Sequence, residues 1–268
     1  MATYSTPAII IGRHNFGEAD RIIVLLTPTR GVIRGVAKGV RKIKSRLAGH
    51  LELFSQSELM LAEGRNLDVI TSARLVRRVS IGDDYQRMRL AYLFAEMVNR
   101  LAGDAEPHEG LFELLREAYG GLAGGGAADD AAASGGAARS TDALLELWFK
   151  LRLLDRLGYR PELGVCAVCH QPTSSHRRYA FNVELGGLVD VGYGTNAGNL
   201  PLTRDQIKLW RLALDRPLAS LRRLVAGGGK GDQSGDKVEE LAAASLPVCN
   251  AFYDYTFGKR FRSSEALM

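Results

Sequence analysis

Five short segments with the composition of β-strands occupy the first 76 residues, and they restrict the fold more than any other feature of the chain. Val, Ile, Leu and Thr dominate these segments, and Gly, Asn and Pro mark the turns between them. A few short strands can hide their edges by closing on themselves, so the pattern predicts a small Greek-key barrel such as an OB-fold. An SH3-like barrel is the alternative. The predicted strands are Ala8–Arg13, Arg21–Thr27, Val32–Val40, His50–Ala62 and Asp68–Leu75.

The spacing of apolar residues changes near Gly82. From Asp83 to Leu101 they recur at intervals of three and four, which indicates an amphipathic helix with Asp83 and Asp84 at its N-terminal end. Helical signals continue towards residue 160 and resume after residue 200, apart from a Gly- and Ala-rich tract at residues 120–140 that we interpret as flexible. The sequence therefore predicts an α+β multidomain protein. Its predicted parts are a barrel at 1–80, an α-helical domain formed by 81–160 and 201–268, and a non-helical insertion at 161–200.

Positive charge is concentrated in one segment of the predicted barrel. Residues 30–46 contain seven Lys or Arg residues and no Asp or Glu. Residues 1–80 hold 13 Lys and Arg against 6 Asp and Glu, a balance of +7, whereas the whole chain carries +5. A dense cationic cluster held between strands favours a polyanionic partner, and a lopsided solvated surface is the alternative. The residues predicted to contact nucleic acid are Arg30, Arg34, Lys38, Arg41, Lys42, Lys44 and Arg46.

One pair of cysteines, Cys166 and Cys169, has the spacing of a zinc knuckle. A structural zinc site needs four ligands, and no second pair of cysteines follows. His170, His176 and Asp190 could complete a site, but their spacing does not identify a ligand set. We favour a knuckle that packing holds in shape, so that zinc is a candidate cofactor and not a required one.

Catalytic motifs are not recognisable in the sequence. The Gly-rich segment Gly227–Asp232 contains a lysine, but it lacks the spacing and the preceding strand of a phosphate-binding loop. GxSxG and HExxH motifs are missing too. We predict that the protein is not an enzyme and that binding is its activity. An RNA-binding or ribosome-associated barrel protein remains the alternative, since phosphate contacts do not distinguish the two sugars.

Membrane insertion is not indicated. No apolar run approaches the roughly 20 residues that a membrane helix needs. The N-terminal residues lack the basic and then apolar layout of a signal peptide. We therefore expect no membrane partner and a cytoplasmic location.

Several motifs resemble those of the RecO family of bacterial DNA repair proteins. They include Gly17–Ile23, Val36–Arg41 and, ahead of the cysteine pair, Leu157–Pro161. The likeness extends over nearly the whole chain apart from the low-complexity tracts. It implies an N-terminal OB-fold, an α-helical domain and a zinc-finger-like insertion at residues 161–200. Relatives often carry a second CxxC pair, and Asp190 and Tyr193 stand at those positions here, which argues against a bound metal.

The resemblance also implies a role and partners. The role is mediation of homologous recombination during gap repair, through annealing of complementary strands and help in loading the recombinase. The implied partners are single- and double-stranded DNA, the protein RecR, and the acidic C-terminal tail of single-strand-binding protein. A cytoplasmic, nucleoid-associated protein is expected on this basis.

Overall fold

The computed structural model describes residues 2–81, 84–103, 106–123, 142–174, 177–193, 198–227 and 234–258. The described residues fall into two compact units, one within residues 2–123 and one within residues 142–258. Most of the Gly- and Ala-rich tract, together with Asp83 and His176, lies outside the described residues. The first two helices share a unit with the strands, so the predicted boundary at residue 80 separates strands from helices inside the first unit.

The first unit is built around five β-strands, which are β1 (Thr3–Phe16), β2 (Asp20–Thr27), β3 (Gly31–Ala37), β4 (Gln56–Ala62) and β5 (Asp68–Arg77). They form a closed barrel in the order β1-β2-β3-β5-β4. Neighbours are antiparallel except β3 and β5, which are parallel. One turn of 3-10 helix, Ala48–His50, lies between β3 and β4. This topology fits an OB-fold and confirms the predicted five-stranded N-terminal fold.

Two strand boundaries differ from the predicted ones for local reasons. The third strand ends at Ala37, because Gly39 has a φ of +64° and turns the chain. The fourth strand begins at Gln56 instead of His50, because Phe54 has a φ of +66° and cannot continue an extended segment.

Apolar side chains from all five strands fill the barrel. In β2, Ile23 and Leu25 belong to the interior cluster, and each is fully buried. Val24 and Leu26, on the opposite face of the same strand, are buried as well. Because β2 is covered on both faces, its sequence reads as a continuous apolar run and not as a clean alternation.

Phe54 connects the barrel with helices α1 (Tyr85–Leu101) and α2 (Leu111–Leu122). Its ring makes edge contacts with the rings of Tyr92 and Tyr119, at centroid distances of 5.0 and 5.4 Å. Only 5% of Phe54 is exposed, so this residue is part of the core. These aromatic contacts explain why the two helices pack in one unit with the strands.

The N-terminal end of α1 carries an acidic residue, as the sequence predicted. Asp84 is the N-cap, and its Oδ1 accepts hydrogen bonds from the backbone N–H groups of Gln86 and Arg87, at 3.0 and 3.1 Å. A carboxylate at this position satisfies two N–H groups that have no partner within the helix and faces the positive end of its dipole.

The second unit combines four helices with a small antiparallel sheet. The helices are α3 (Asp142–Arg156), α4 (Arg204–Asp215), α5 (Leu218–Gly227) and α6 (Ser234–Phe257). The sheet has the order β7-β6-β8 and consists of β6 (Tyr179–Asn182), β7 (Gly187–Asp190) and β8 (Asn199–Pro201). Helices α3 and α6 pack against each other, and the sheet lies in the segment that was predicted to be a non-helical insertion.

A charged pair is buried where α3 meets α6. The Nζ atom of Lys150 donates to Oε1 of Glu146 at 2.5 Å and to Oδ1 of Asn250 at 2.7 Å. The two charged side chains are 3% and 8% exposed. Tyr253 donates its hydroxyl to the carbonyl oxygen of Lys150 at 2.7 Å. This polar cluster ties α6 to α3.

Replacement of Gly31 by Ala is expected to destabilise the first unit by more than about 2 kcal/mol. Gly31 has a φ of +61°, and a Cβ atom placed there would lie 2.1 Å from the carbonyl oxygen of Glu106. Gly17→Ala is the matched control, because Gly17 has a φ of +59° and nothing within 4 Å of such a Cβ. Urea denaturation measures the free energy of unfolding of both variants. Equal losses in the two variants would show that the contact with Glu106 contributes nothing.

Candidate nucleic-acid interface

The basic loop, residues 38–46, begins where β3 ends and lies beside the turn between β1 and β2. The register pairs Arg21 with Ala37, which brings the end of β3 to the start of β2. The N–H group of Gly39 donates to Oδ1 of Asp20 at 2.6 Å, and that of Arg41 donates to the carbonyl oxygen of Ala19 at 2.9 Å. The loop is therefore fixed to one end of the barrel by hydrogen bonds.

Turns within the basic loop direct its charged side chains outward. The N–H of Lys42 donates to the carbonyl of Gly39 at 3.1 Å, and the N–H of Ser45 donates to the carbonyl of Lys42 at 2.9 Å. Val40 is 3% exposed and belongs to the barrel core, and the partly buried Leu47 packs against that core. Five cations of the loop are exposed to solvent, namely Lys38, Arg41, Lys42, Lys44 and Arg46.

Within the described part of the chain, the cationic side chains of the basic loop are not paired with carboxylates. Among the described residues, Lys38, Lys42, Lys44 and Arg46 take part in no ion pair with an acidic side chain. The Arg41 side chain contacts the carbonyl oxygen of Gly17 at 3.4 Å, which leaves its charge uncompensated. Such an arrangement concentrates positive potential at one end of the barrel.

Two of the predicted DNA-binding residues lie outside the basic loop. Arg34 is half-buried in β3, opposite Val24. Arg30 lies in the turn before β3, so the seven residues of that strand, about 23 Å, separate it from the loop. The structure therefore brings together five of the seven predicted residues, with Arg34 on the adjoining strand and Arg30 at the other end of β3.

Arg30 is engaged in contacts at its own end of the barrel. Its guanidinium lies 3.7 Å from the centroid of the Tyr4 ring and donates to Oε1 of Glu63 at 3.2 Å. The hydrogen bond to Glu63 raises the pKa of Arg30. Tyr4 in turn donates its hydroxyl to Oδ2 of Asp68 at 2.5 Å, and its burial, followed by that hydrogen bond, raises the pKa of Tyr4 to about 12. These contacts give Arg30 a structural role that the sequence did not reveal.

A cation just after β5 lies near the basic loop, although the sequence did not single it out. Arg78 donates to the carbonyl oxygen of Gly49 at 3.3 Å, and the backbone N–H of Leu75 donates to Nδ1 of His50 at 3.2 Å. The 3-10 turn that contains Gly49 and His50 directly follows the basic loop, so Arg78 extends the cationic surface. The charge count over residues 1–80 includes Arg78 and was the only signal for it.

The cysteine pair lies on a tight hairpin in the second unit. Val165 pairs with Pro172, and the N–H of His170 donates to the carbonyl of Cys166 at 2.8 Å. Burial opposes ionisation of the Cys166 thiol, but the N–H groups of Cys169, Asp190 and Val168 hydrogen-bond to its sulfur, and its pKa is lowered. The backbone therefore forms the turn of a knuckle around two neighbouring thiols.

Among the described residues around this hairpin, no further side chains complete a zinc site. The Asp190 carboxylate accepts a hydrogen bond from the N–H of Gly192 at 2.9 Å. It also forms an ion pair with Arg177, whose guanidinium donates to it at 2.7 Å. The bond from Gly192 and then the charge of Arg177 lower the pKa of Asp190. Burial raises the pKa of the third cysteine, Cys249, to about 12, and that residue lies in α6. Within the described part of the chain, no three His, Cys, Asp or Glu residues are grouped as metal ligands.

Purified protein is accordingly expected to retain less than one zinc per chain after dialysis. Two thiols are half of the ligand set that a structural zinc requires, and the carboxylate of Asp190 is paired with Arg177. Elemental analysis gives the metal content, and thermal unfolding with and without EDTA shows whether metal supports the fold. One tightly held zinc per chain, with a melting temperature that falls on chelation, would contradict this assignment.

These features define a class of protein. A closed OB-type barrel with a hydrogen-bonded cationic loop at one end fits nucleic-acid binding. The described part of the chain contains no helix with the length and apolar character needed to span a membrane.

Comparison with known proteins identifies the family. Residues 1–79 match the family model described as "Recombination protein O N terminal", and residues 82–265 match "Recombination protein O C terminal". A protein named DNA repair protein RecO from Dehalococcoides mccartyi is 32% identical over 223 residues, which cover 82% of each chain. One of the same name from a Roseiflexus species is 38% identical over 216 residues, 80% of this chain and 71% of the relative. The chain belongs to the RecO family, whose members act in DNA repair and recombination.

Proposed function

We propose that this protein is a non-enzymatic mediator of homologous recombination that binds single- and double-stranded DNA through the basic loop. The observation that carries the proposal is the set of five exposed cations on a loop that is hydrogen-bonded to the end of an OB-type barrel. Lys38, Arg41, Lys42, Lys44 and Arg46 contact phosphates, and Arg34 and Arg78 extend the contact on either side. Arg30 acts through the barrel, by holding Tyr4 and Glu63 in place.

Annealing of complementary strands follows from such a surface without bond-making chemistry. Two polyanions repel each other, and cations that neutralise their phosphates allow them to approach. Phosphate contacts carry no sequence information, so the bases remain free to pair. In the cell, this activity would serve gap repair and help to load the recombinase onto DNA that is coated by single-strand-binding protein.

DNA binding by the purified protein is tested first, with RNA of the same sequence as competitor. Fluorescence anisotropy of a labelled single strand should show tight binding at low salt that weakens linearly as the logarithm of salt concentration rises. DNA should compete at least as well as RNA. A clear preference for RNA would favour a ribosome-associated role, and no binding to either would overturn the proposal.

The acidic tail of single-strand-binding protein is a further proposed partner, and a cleft in the second unit fits its chemistry. The cleft has a volume of about 740 Å³ and lies between β6, β8 and the start of α4. Tyr179, Leu202 and Ile207 give it an apolar lining, and Arg178 and Arg204 supply positive charge. An acidic peptide with apolar residues at its end would place its side chains in the cleft and its carboxylates on the two arginines. RecR, the remaining proposed partner, is supported by family membership alone.

A synthetic acidic peptide that ends in apolar residues tests this cleft. Arg178→Glu with Arg204→Glu should reduce peptide affinity by about 100-fold, because two charge-assisted contacts become repulsive. Arg223→Glu is the control, since Arg223 is exposed in the same unit and does not line the cleft. Equal affinity for the double variant and the control would exclude the cleft as the tail site.

A further inference from the structure

We infer that the same end of the barrel also contacts unpaired nucleobases, with Phe16 as a stacking platform and Ile43 as a second apolar contact. The inference rests on the proposed DNA-binding function and specifies the form of DNA that the surface prefers. Its ligand class is the exposed face of a base in single-stranded nucleic acid.

Phe16 lies at the tip of the hairpin formed by β1 and β2. It is the last residue of β1 and pairs with Asp20 across the turn. Its side chain is 51% exposed, whereas Phe54, the other phenylalanine of the barrel sequence, is 5% exposed and packed between aromatic rings. The sequence alone did not separate a stacking role from a core role for Phe16, and the exposure excludes the core role.

Phe16 is adjacent to the basic loop because the turn that follows it holds that loop. The carbonyl oxygen of Gly17 accepts a hydrogen bond from the Arg41 guanidinium, and that of Ala19 accepts one from the Arg41 backbone. The exposed ring and the exposed cations therefore share one end of the barrel. Single-strand-binding surfaces combine these same two elements, a cationic track for phosphates and an aromatic ring for bases.

Ile43 is the second apolar group at this end. It lies in the turn closed by the bond from the N–H of Ser45 to the carbonyl of Lys42, and its side chain is fully exposed. Its neighbours in sequence are Lys42 and Lys44, both exposed. A branched apolar side chain held in solvent among cations is available to a ligand that is anionic and also offers apolar surface.

Nucleic acid meets both requirements, and its single-stranded form meets them better than the duplex. Phosphates satisfy the cations in either form, but in a duplex the faces of the bases are stacked on each other and inaccessible. Phe16 and Ile43 should therefore add affinity for single strands and for frayed ends. Duplex affinity should depend on the cations alone.

The variants Phe16→Ala and Ile43→Ala test the inference against Met60→Ala as the control. Met60 is 46% exposed in β4, so all three changes remove an exposed apolar side chain of the first unit. Phe16→Ala should weaken single-strand binding roughly 10-fold and Ile43→Ala by a smaller factor. The salt dependence and the duplex affinity should be unchanged. Phe16→Tyr keeps the ring and should bind as the wild type does.

An abasic oligonucleotide separates base contacts from phosphate contacts. The wild type should bind it no more tightly than Phe16→Ala does, since the bases that Phe16 contacts are missing. In a Phe16→Trp variant, indole fluorescence should be quenched by single strands and not by duplex. Equal weakening on single strands, duplex and abasic strands, or no weakening at all, would overturn the inference while leaving the phosphate-binding proposal in place. That proposal fails separately, if the wild type binds no nucleic acid.

Discussion

Reversal of three charges in the basic loop, Arg41→Glu, Lys42→Glu and Lys44→Glu together, is expected to abolish DNA binding under conditions in which the wild type binds. Each side chain is exposed, and none of the three is paired with a carboxylate among the described residues. The affinity should fall on the order of 100-fold or more, because three attractive contacts become repulsive. If residual binding is measurable, its logarithmic salt slope should be smaller by about 2, at about 0.7 for each single-strand phosphate contact.

The matched control carries the same change of charge in the second unit. Arg156, Arg223 and Lys237 are exposed there, and their replacement by Glu lowers the net charge equally. This control should keep most of its DNA affinity, and thermal unfolding should show that both triple variants remain folded. Similar losses in the two variants would mean that net charge, and not the basic loop, determines binding.

Replacement of Lys150 by Met is expected to lower the free energy of unfolding by about 3–5 kcal/mol. The change leaves the Glu146 carboxylate in the interface between α3 and α6 without its cation, and that carboxylate is 8% exposed. It also removes the donor to Asn250, a hydrogen bond of 2.7 Å. Chemical denaturation of the full chain measures the loss.

The double variant Glu146→Leu with Lys150→Met distinguishes the loss of the whole ion pair from the loss of one partner. Removing both charges and filling the space with apolar atoms should recover most of the stability, since the cost of the single change comes from a buried carboxylate that has lost the positive charge of Lys150. A double variant as unstable as Lys150→Met would contradict this account. So would a single variant that loses less than about 1 kcal/mol.

The barrel was predictable because its signals are local. Glycines, Asn and Pro mark the turns, and Asp84 caps the first helix with the chemistry expected of a carboxylate at that position. Strand ends were less predictable, since they depend on single backbone conformations. The φ values of Gly39 and Phe54 end one strand and delay the next.

The site was only partly predictable because neighbours in sequence are not always neighbours in a barrel. Arg30 and Arg41 belong to one basic segment, yet β3 carries the chain from one end of the barrel to the other between them. Arg30 meets Glu63, which is 33 residues away in sequence. Arg78 reaches the turn after the basic loop from the end of β5, a contact that depends on the pairing of β4 with β5.

Metal binding at the cysteine pair could not be predicted from sequence for a different reason. Its spacing predicted a knuckle, and the structure places the pair on a hairpin between Val165 and Pro172. Whether a metal fits depends on residues that come from elsewhere in the fold. Asp190 lies beside Cys166, but its carboxylate is bound by Arg177, and its contribution to the cysteine is a backbone N–H. Only the folded arrangement distinguishes an acidic ligand from the partner of an arginine.

Annealing of two complementary oligonucleotides, followed by energy transfer between labels on the two strands, tests the central claim most directly. The account predicts that the wild type accelerates annealing well above the spontaneous rate without any nucleotide triphosphate. It also predicts that the triple Glu variant of Arg41, Lys42 and Lys44 does not. A wild type that leaves the rate unchanged at low salt, or a triple variant that anneals as fast as the wild type, would contradict it.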